Sequence, residues 1–144
     1  MKIPTILTML DDGAYLPEKA HASDAGYDLR TPHDATIYPG GTITIDTGVH
    51  MMIPDGYVGM IESKSGLNIK DGLTSFGVVD AGYTGSIRVK LRADADAKPK
   101  TFYAGDKISQ IVILPLPLLE FRLDEVNEFP ATERGDKGFG STGR

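Results

Sequence analysis

Apolar and polar residues alternate along several short stretches of the chain. In "SIRVKL" (86–91), Ile87, Val89 and Leu91 point one way and Arg88 and Lys90 the other; "TITID" (42–46) does the same with Ile43 and Ile45. A period of two predicts strands with one buried face. "YVGMIES" (57–63) and "ISQIVILPL" (108–116) read as further strands, the second with Gln110 on the face of Ile108 and Val112. The turn signals "YPGG", "IPDG", "DAG" and "YAGD" separate these runs. The best helical candidate is a short turn around "GLNIKDG" (66–72). Many short strands broken by frequent turns predict an all-β sandwich or barrel.

Composition narrows this picture. A chain of 144 residues suits one domain with a real core. There is no cysteine, which excludes disulfides, thiolate metal sites and a cysteine nucleophile, and fits a cytoplasmic setting. No apolar run is long enough to span a membrane, and no cleavage pattern follows "MKIPTILTML", so neither a membrane segment nor a secretory leader is expected. Fifteen basic against twenty acidic residues give a formal charge of −5, which disfavours nucleic acid as a partner. A small phosphate ligand stays compatible with local cations or a metal.

Five segments hold candidate chemistry. In "FGVVDAGYTGSI" (76–87) two valines end a buried-looking strand, Asp80 follows, and Ala81-Gly82 suits a tight turn with Tyr83 just beyond. A carboxylate there would be partly desolvated, as a general base requires, although aspartate also forms such turns for its own backbone. "HASDAGYDLRTP" (21–32) places Asp24 and Asp28 as hard oxygen ligands suited to Mg2+, or as turn formers. "ESKSGLNIKDG" (62–72) puts Lys64 and Ser65 before Gly66, groups able to cradle a phosphate, although the Walker spacing is absent. In "YAGDKISQIVILP" (103–115), Gln110 is polar inside an apolar run and either meets a ligand or points to solvent. His21, His33 and His50 lack metal-ligand spacing. The tail "RGDKGFGSTGR" (134–144) combines Arg134 and Phe139 with hydroxyls among glycines.

Taken in order, "SDAGYDL", "SKSGL", "GVVDAGYTG", "GDKISQ" and "RGDKGFGSTG" resemble the five motifs of the trimeric deoxyuridine triphosphatases, across residues ~20 to 143. The resemblance implies a compact, distorted jelly-roll or β-barrel protomer, one short helix at most, and a flexible C-terminal arm. Within one domain overall, residues 1–127 would form the catalytic barrel and 128–144 an arm closing over the site. It further implies hydrolysis of dUTP to dUMP and pyrophosphate by a cytoplasmic homotrimer with active sites shared between subunits, and Mg2+ on the triphosphate. Asp80 matches the aspartate that deprotonates the attacking water, and Tyr83 the tyrosine packed under the deoxyribose. The backbone around residues 75–82 would read uracil. Asp28 would hold Mg2+ through water. Lys64, Ser65, Gly66 and Gln110 would bind phosphates, as would Arg134, Gly140, Ser141 and Thr142 of the arm, and Phe139 would stack on uracil.

Three positions depart from the family pattern: Lys64 stands where arginine is common, Ser86 where glutamate is frequent, and Thr74 where many relatives carry asparagine. A dCTP deaminase is the rival within the same fold class. Such enzymes need a glutamate where this chain has Lys90 in "IRVKL", and they lack the "GFGSTG" arm. A second alternative adds a regulatory protein-binding role, for which "RADADAKPK" (92–100) is the most unusual segment; a solvated connector reads the same way.

Overall fold

The computed structural model describes residues 3–117, 120–140 and 143. It is nearly all β, with one short helix. Six antiparallel strands form the main sheet, in the order β2 (Gly26–Arg30), β10 (Lys107–Pro115), β6 (Tyr57–Glu62), β7 (Leu73–Val79), β8 (Arg88–Ala93), β4 (Thr42–Asp46). Two ribbons, β1 (Leu7–Leu10) with β5 (Val49–Met52) and β3 (Ala35–Ile37) with β9 (Lys100–Phe102), complete the curled, jelly-roll-like barrel. Helix α1 (Ser65–Asp71) links β6 to β7 and stops at Gly72, whose φ of 65° closes it in the left-handed conformation.

The predicted alternation builds the core. Ile45 pairs with Val89 and Ile43 with Leu91 across β4 and β8; Ile45, Val89 and Leu91 are buried, with Ile43 partly so. Ile87 is buried just ahead of β8. Burying such a side chain stabilises the fold by about 1.5–3 kcal/mol, before the entropy of ordering is subtracted.

Two local expectations change. Only Val79 of the valine pair is buried, whereas Val78 is 54% exposed, because β7 alternates to its end. In β10 the ladder to β2 slips between Lys107 and Ser109, so Ile108 and Ser109 are both buried and Ile108 leaves the face of Gln110 and Val112. The segment 92–100 is the end of β8, a turn closed by Ala97 N–H to the Asp94 carbonyl at 3.1 Å, and the start of β9, as a connector requires. Among the described residues no helix is long and apolar enough to cross a membrane.

Candidate active site

Strand β7 pairs with two neighbours over different lengths. Against β6 it runs from Phe76 to Val79, but against β8 only from Leu73 to Ser75. Beyond Ser75 the two strands part, and the β8-side edge of residues 76–79 has no strand partner among the described residues. A cleft of about 500 Å3 opens in the gap, lined by Gly77, Val78 and Asp80 on one side and Tyr83, Ser86 and Arg88 on the other. Unpaired backbone N–H and C=O groups on such an edge are ready donors and acceptors.

The turn between the limbs follows the sequence. Tyr83 N–H donates to the Asp80 carbonyl at 3.3 Å, and Gly82 has a φ of 80°, which a side chain disfavours. Tyr83 then folds back, donating its hydroxyl to the Ser86 carbonyl at 3.1 Å. Its ring lies over Gly85, where a β-carbon would stand 2.9 Å from Cε2 and nearer still to the hydroxyl oxygen. The glycine two residues after the tyrosine is therefore dictated by the tyrosine. Asp80 is exposed, not partly desolvated as its position suggested, because the cleft beside it is open.

A second cleft, of about 280 Å3, is lined by Asp24, Gly26, Asp28, Lys64, Ser65, Lys107 and Gln110. Strand register assembles it. Gln110 faces Asp28 on β2 and Glu62 on β6, so one row across three strands leads into the Ser63-Lys64 loop at the head of α1. Gln110 neither meets solvent freely nor awaits a ligand alone. Its Nε2 donates to the Ser63 carbonyl at 2.9 Å, and its amide packs so closely on Gly26 that a β-carbon there would lie 2.9 Å from Cδ. Ser63 Oγ in turn donates to the Ser75 carbonyl (3.1 Å) and accepts from Ser75 N–H (2.9 Å), while Ser75 and Ser109 join hydroxyls at 2.8 Å. These bonds fix the loop to the sheet.

Asp28 is buried, at 6% exposure, and bridges two cations: Lys64 Nζ on Oδ1 and Lys107 Nζ on Oδ2, the latter at 2.8 Å. Burial alone would raise its pKa. Hydrogen bonds from Lys107 and Lys64, with their charges, outweigh burial and hold the carboxyl below its usual range. Lys107 was not assigned a role from sequence, although "GDKISQ" contains it. Asp24 accepts from His21 N–H at 2.9 Å, as a turn former does. Gly66 stands exposed in α1 with open space where its side chain would be.

Among the described residues of the tail, none lines either cleft. Arg134 Nε donates to the Lys137 carbonyl at 3.0 Å within a local turn. Phe139 is fully exposed beside Gly140. Ser141 and Thr142 lie outside the described residues. The motif residues thus fall into three groups: Asp80 and Tyr83 in one cleft; Asp28, Lys64, Ser65 and Gln110 in another; Arg134 and Phe139 in solvent. Asp80 lies four positions beyond Phe76, which faces Glu62 in the row of Gln110, so roughly 13 Å of strand separates the clefts.

The family described as dUTPase matches residues 12–143, nearly the whole chain. The chain belongs to the dUTPase family. Its similarity to the deoxyuridine 5'-triphosphate nucleotidohydrolase of Corynebacterium efficiens is 43% identity over 141 residues, 96% of this chain and 77% of that protein. The Corynebacterium glutamicum protein of the same name is 40% identical, covering 96% and 93%. Among solved dUTPases, that of Staphylococcus bacteriophage 80alpha with dUPNHPP superimposes with a TM-score of 0.87 at 31% identity, over 99% of this chain and all of that one. A mutant dUTPase of phage phi11 of S. aureus, with a TM-score of 0.77 at 30% identity over 89% of this chain and all of that one, reveals the coordination of a structural Mg(II) ion.

Proposed function

We propose that this protein is a cytoplasmic dUTP diphosphatase, releasing dUMP and pyrophosphate. The observation that carries the reading is the parting of β7 from β8, which sets a free backbone edge, an exposed carboxylate and a tyrosine ring around one cleft. The edge at residues 76–79 reads uracil by paired donors and acceptors; cytosine offers a donor where uracil accepts and is refused. Tyr83 packs under the sugar and excludes a ribose 2'-hydroxyl. Asp80 takes a proton from the water that attacks the α-phosphorus, and the P–O bond to pyrophosphate breaks.

The phosphates lie along the second cleft. Gln110 contacts the α-phosphate, Ser65 with the Gly66 backbone binds the chain, and Lys64 contributes a point charge. The arm closes over the nucleotide, with Phe139 on uracil and Arg134, Gly140, Ser141 and Thr142 toward the γ-phosphate. Closure excludes bulk water and gives Asp80 the desolvation it lacks when open.

Among the described residues no three His, Asp or Glu side chains group closely enough to hold a metal, and both Asp28 oxygens already meet lysines. The donor set fits an ion whose ligands are largely phosphate oxygens and water, with Asp28 reached through one such water. Mg2+ held in that way would neutralise charge on the triphosphate. The separation of the two clefts favours a homotrimer in which one protomer supplies Asp80 and Tyr83 and another the phosphate groups. Phe121 and Leu123, exposed on the extended segment before the arm, favour the same assembly by offering apolar contacts that the single protomer leaves open.

The test is pyrophosphate release from dUTP, dCTP, dTTP and UTP, with and without Mg2+, alongside the mass in solution. Activity confined to dUTP, lost by orders of magnitude in Asp80→Asn while binding persists, is the expected result. dUMP formed from dCTP identifies a deaminase instead.

A further inference from the structure

His50 has no part in the chemistry above, yet it touches the hairpin that carries it. The residue lies in β5, opposite Met9 of β1. Its Nδ1 is 2.7 Å from the Thr84 carbonyl oxygen, and its Nε2 is 3.1 Å from Asp11 Oδ1. A carbonyl and an ionised carboxylate only accept hydrogen bonds. A neutral imidazole has one N–H and one lone pair, so it would set lone pair against lone pair at one of these contacts. The doubly protonated ring satisfies both.

Both partners are held in place. Asp11 N–H donates to the Gly48 carbonyl at 2.9 Å, just ahead of β5. Thr84 directly follows Tyr83 on the return limb, which is next tied down where Ile87 N–H donates to the Val49 carbonyl at 2.8 Å. Between Gly82 and Ile87 this limb meets the body of the protein through two side-chain bonds, Ser86 to Asp46 and Thr84 to His50. Of the other charged groups near the ring, Asp46 at the end of β4 favours the imidazolium, and it is itself shared with Ser86 and with Arg88 at 3.8 Å. The Thr84 carbonyl first, and the Asp11 carboxylate second, raise His50 above its ordinary 6.5.

We propose that His50 is a positioning residue for the hairpin bearing Asp80 and Tyr83: its imidazolium ties the Thr84 carbonyl to Asp11 and so sets the tyrosine against the cleft. The role in catalysis rests on reading that cleft as the nucleotide slot. As pH rises through the folded pKa of His50, one of the two contacts is lost and the return limb loosens. Nucleotide binding feels this first, because Tyr83 adjoins Thr84, whereas Asp80 is held from β7.

The experiment follows the His50 ring nitrogens and the amides of residues 82–86 by NMR from about pH 5 to 9, in the wild type, Asp11→Asn and His50→Gln. The wild type should show both ring nitrogens protonated at the acid end, a midpoint above the ordinary value, and hairpin amides titrating with it. In Asp11→Asn the carboxamide can donate to Nε2, so a neutral ring keeps both contacts. The His50 midpoint then falls and the amides cease to follow it. In His50→Gln the shared titration disappears. None of these readings needs dUTP, so they stand apart from the assignment of substrate. With dUTP, KM should rise several-fold across the wild-type midpoint, with a smaller change in kcat, and stay flat in Asp11→Asn. Hairpin amides indifferent to the His50 midpoint, or KM profiles that superimpose in wild type and Asp11→Asn, overturn the proposal.

Discussion

The ring of Tyr83 occupies the space in which a side chain at Gly85 would begin. Replacing Gly85 by alanine must push the ring off its seat, since backbone holds one side of the contact and a rigid aromatic the other. Overpacking of this kind costs about 1–3 kcal/mol. The expected outcome is a KM for dUTP raised roughly 5- to 100-fold in Gly85→Ala, with weaker discrimination against UTP. Steady-state kinetics on both nucleotides check it; unchanged discrimination would separate the tyrosine from sugar selection.

A similar contact joins Gly26 and Gln110 across β2 and β10. Gly26→Ala would drive the Gln110 amide from the Ser63 carbonyl and loosen the phosphate loop. The substitution should therefore copy Gln110→Ala, each lowering kcat/KM for dUTP by about 10-fold or more, as loss of one hydrogen bond to a charged group does. Because the two act through one contact, the double variant should be little worse than either single one. Fully additive losses in a double-mutant cycle would break the link.

Asp28 ties acid stability to the second cleft. Its folded pKa lies below the ordinary 3.8, so its contribution to stability is present above that value and is lost as pH falls through the depressed folded pKa. Asp28→Asn leaves Lys64 and Lys107 facing each other without a counter-charge. The lysines are partly exposed, so the cost is at the lower end for a broken buried pair, about 1–3 kcal/mol at neutral pH. Urea unfolding of both proteins should show that gap near pH 7 and its closing below about pH 4. A gap independent of pH would deny the carboxylate its ionic role.

Residues 134–140 are exposed or nearly so, and among the described residues they bond only to one another, to Thr132 and to Gly143. Removing 134–144 should leave the melting temperature within about 2 °C of the full chain, because little apolar area is lost. Hydrolysis of dUTP should fall by at least ~100-fold if the arm closes the site. A truncated chain as active as the full one would leave the arm without a catalytic task.

Much of the architecture is legible in the chain, and the reasons differ by element. Ile87, Val89 and Leu91 announce β8 because a half-buried strand must alternate. The short helix at "GLNIKDG" is legible from its glycine stop. Lys107 stayed silent because its partner, Asp28, is adjacent only through the β2–β10 register, which no local pattern encodes. The anchor of Gln110 is hidden for the same reason: it is a carbonyl on the loop after β6. The bulge near Ser109 then broke the alternation that would have placed Ile108. A strand end suggests a shielded Asp80, but its exposure depends on how far β7 and β8 stay together, a tertiary matter. His50 showed nothing, since its two acceptors come from separate loops.

The unpartnered margin of β7 is also a hazard. Residues 76–79 present open main-chain groups, with Phe76 and Val78 exposed beside them, the combination that invites a foreign strand to add itself. If this edge reads a base through its main chain, the pocket is a vulnerable seam whenever it stands empty. Whatever fills it protects the molecule from sticking to its own kind.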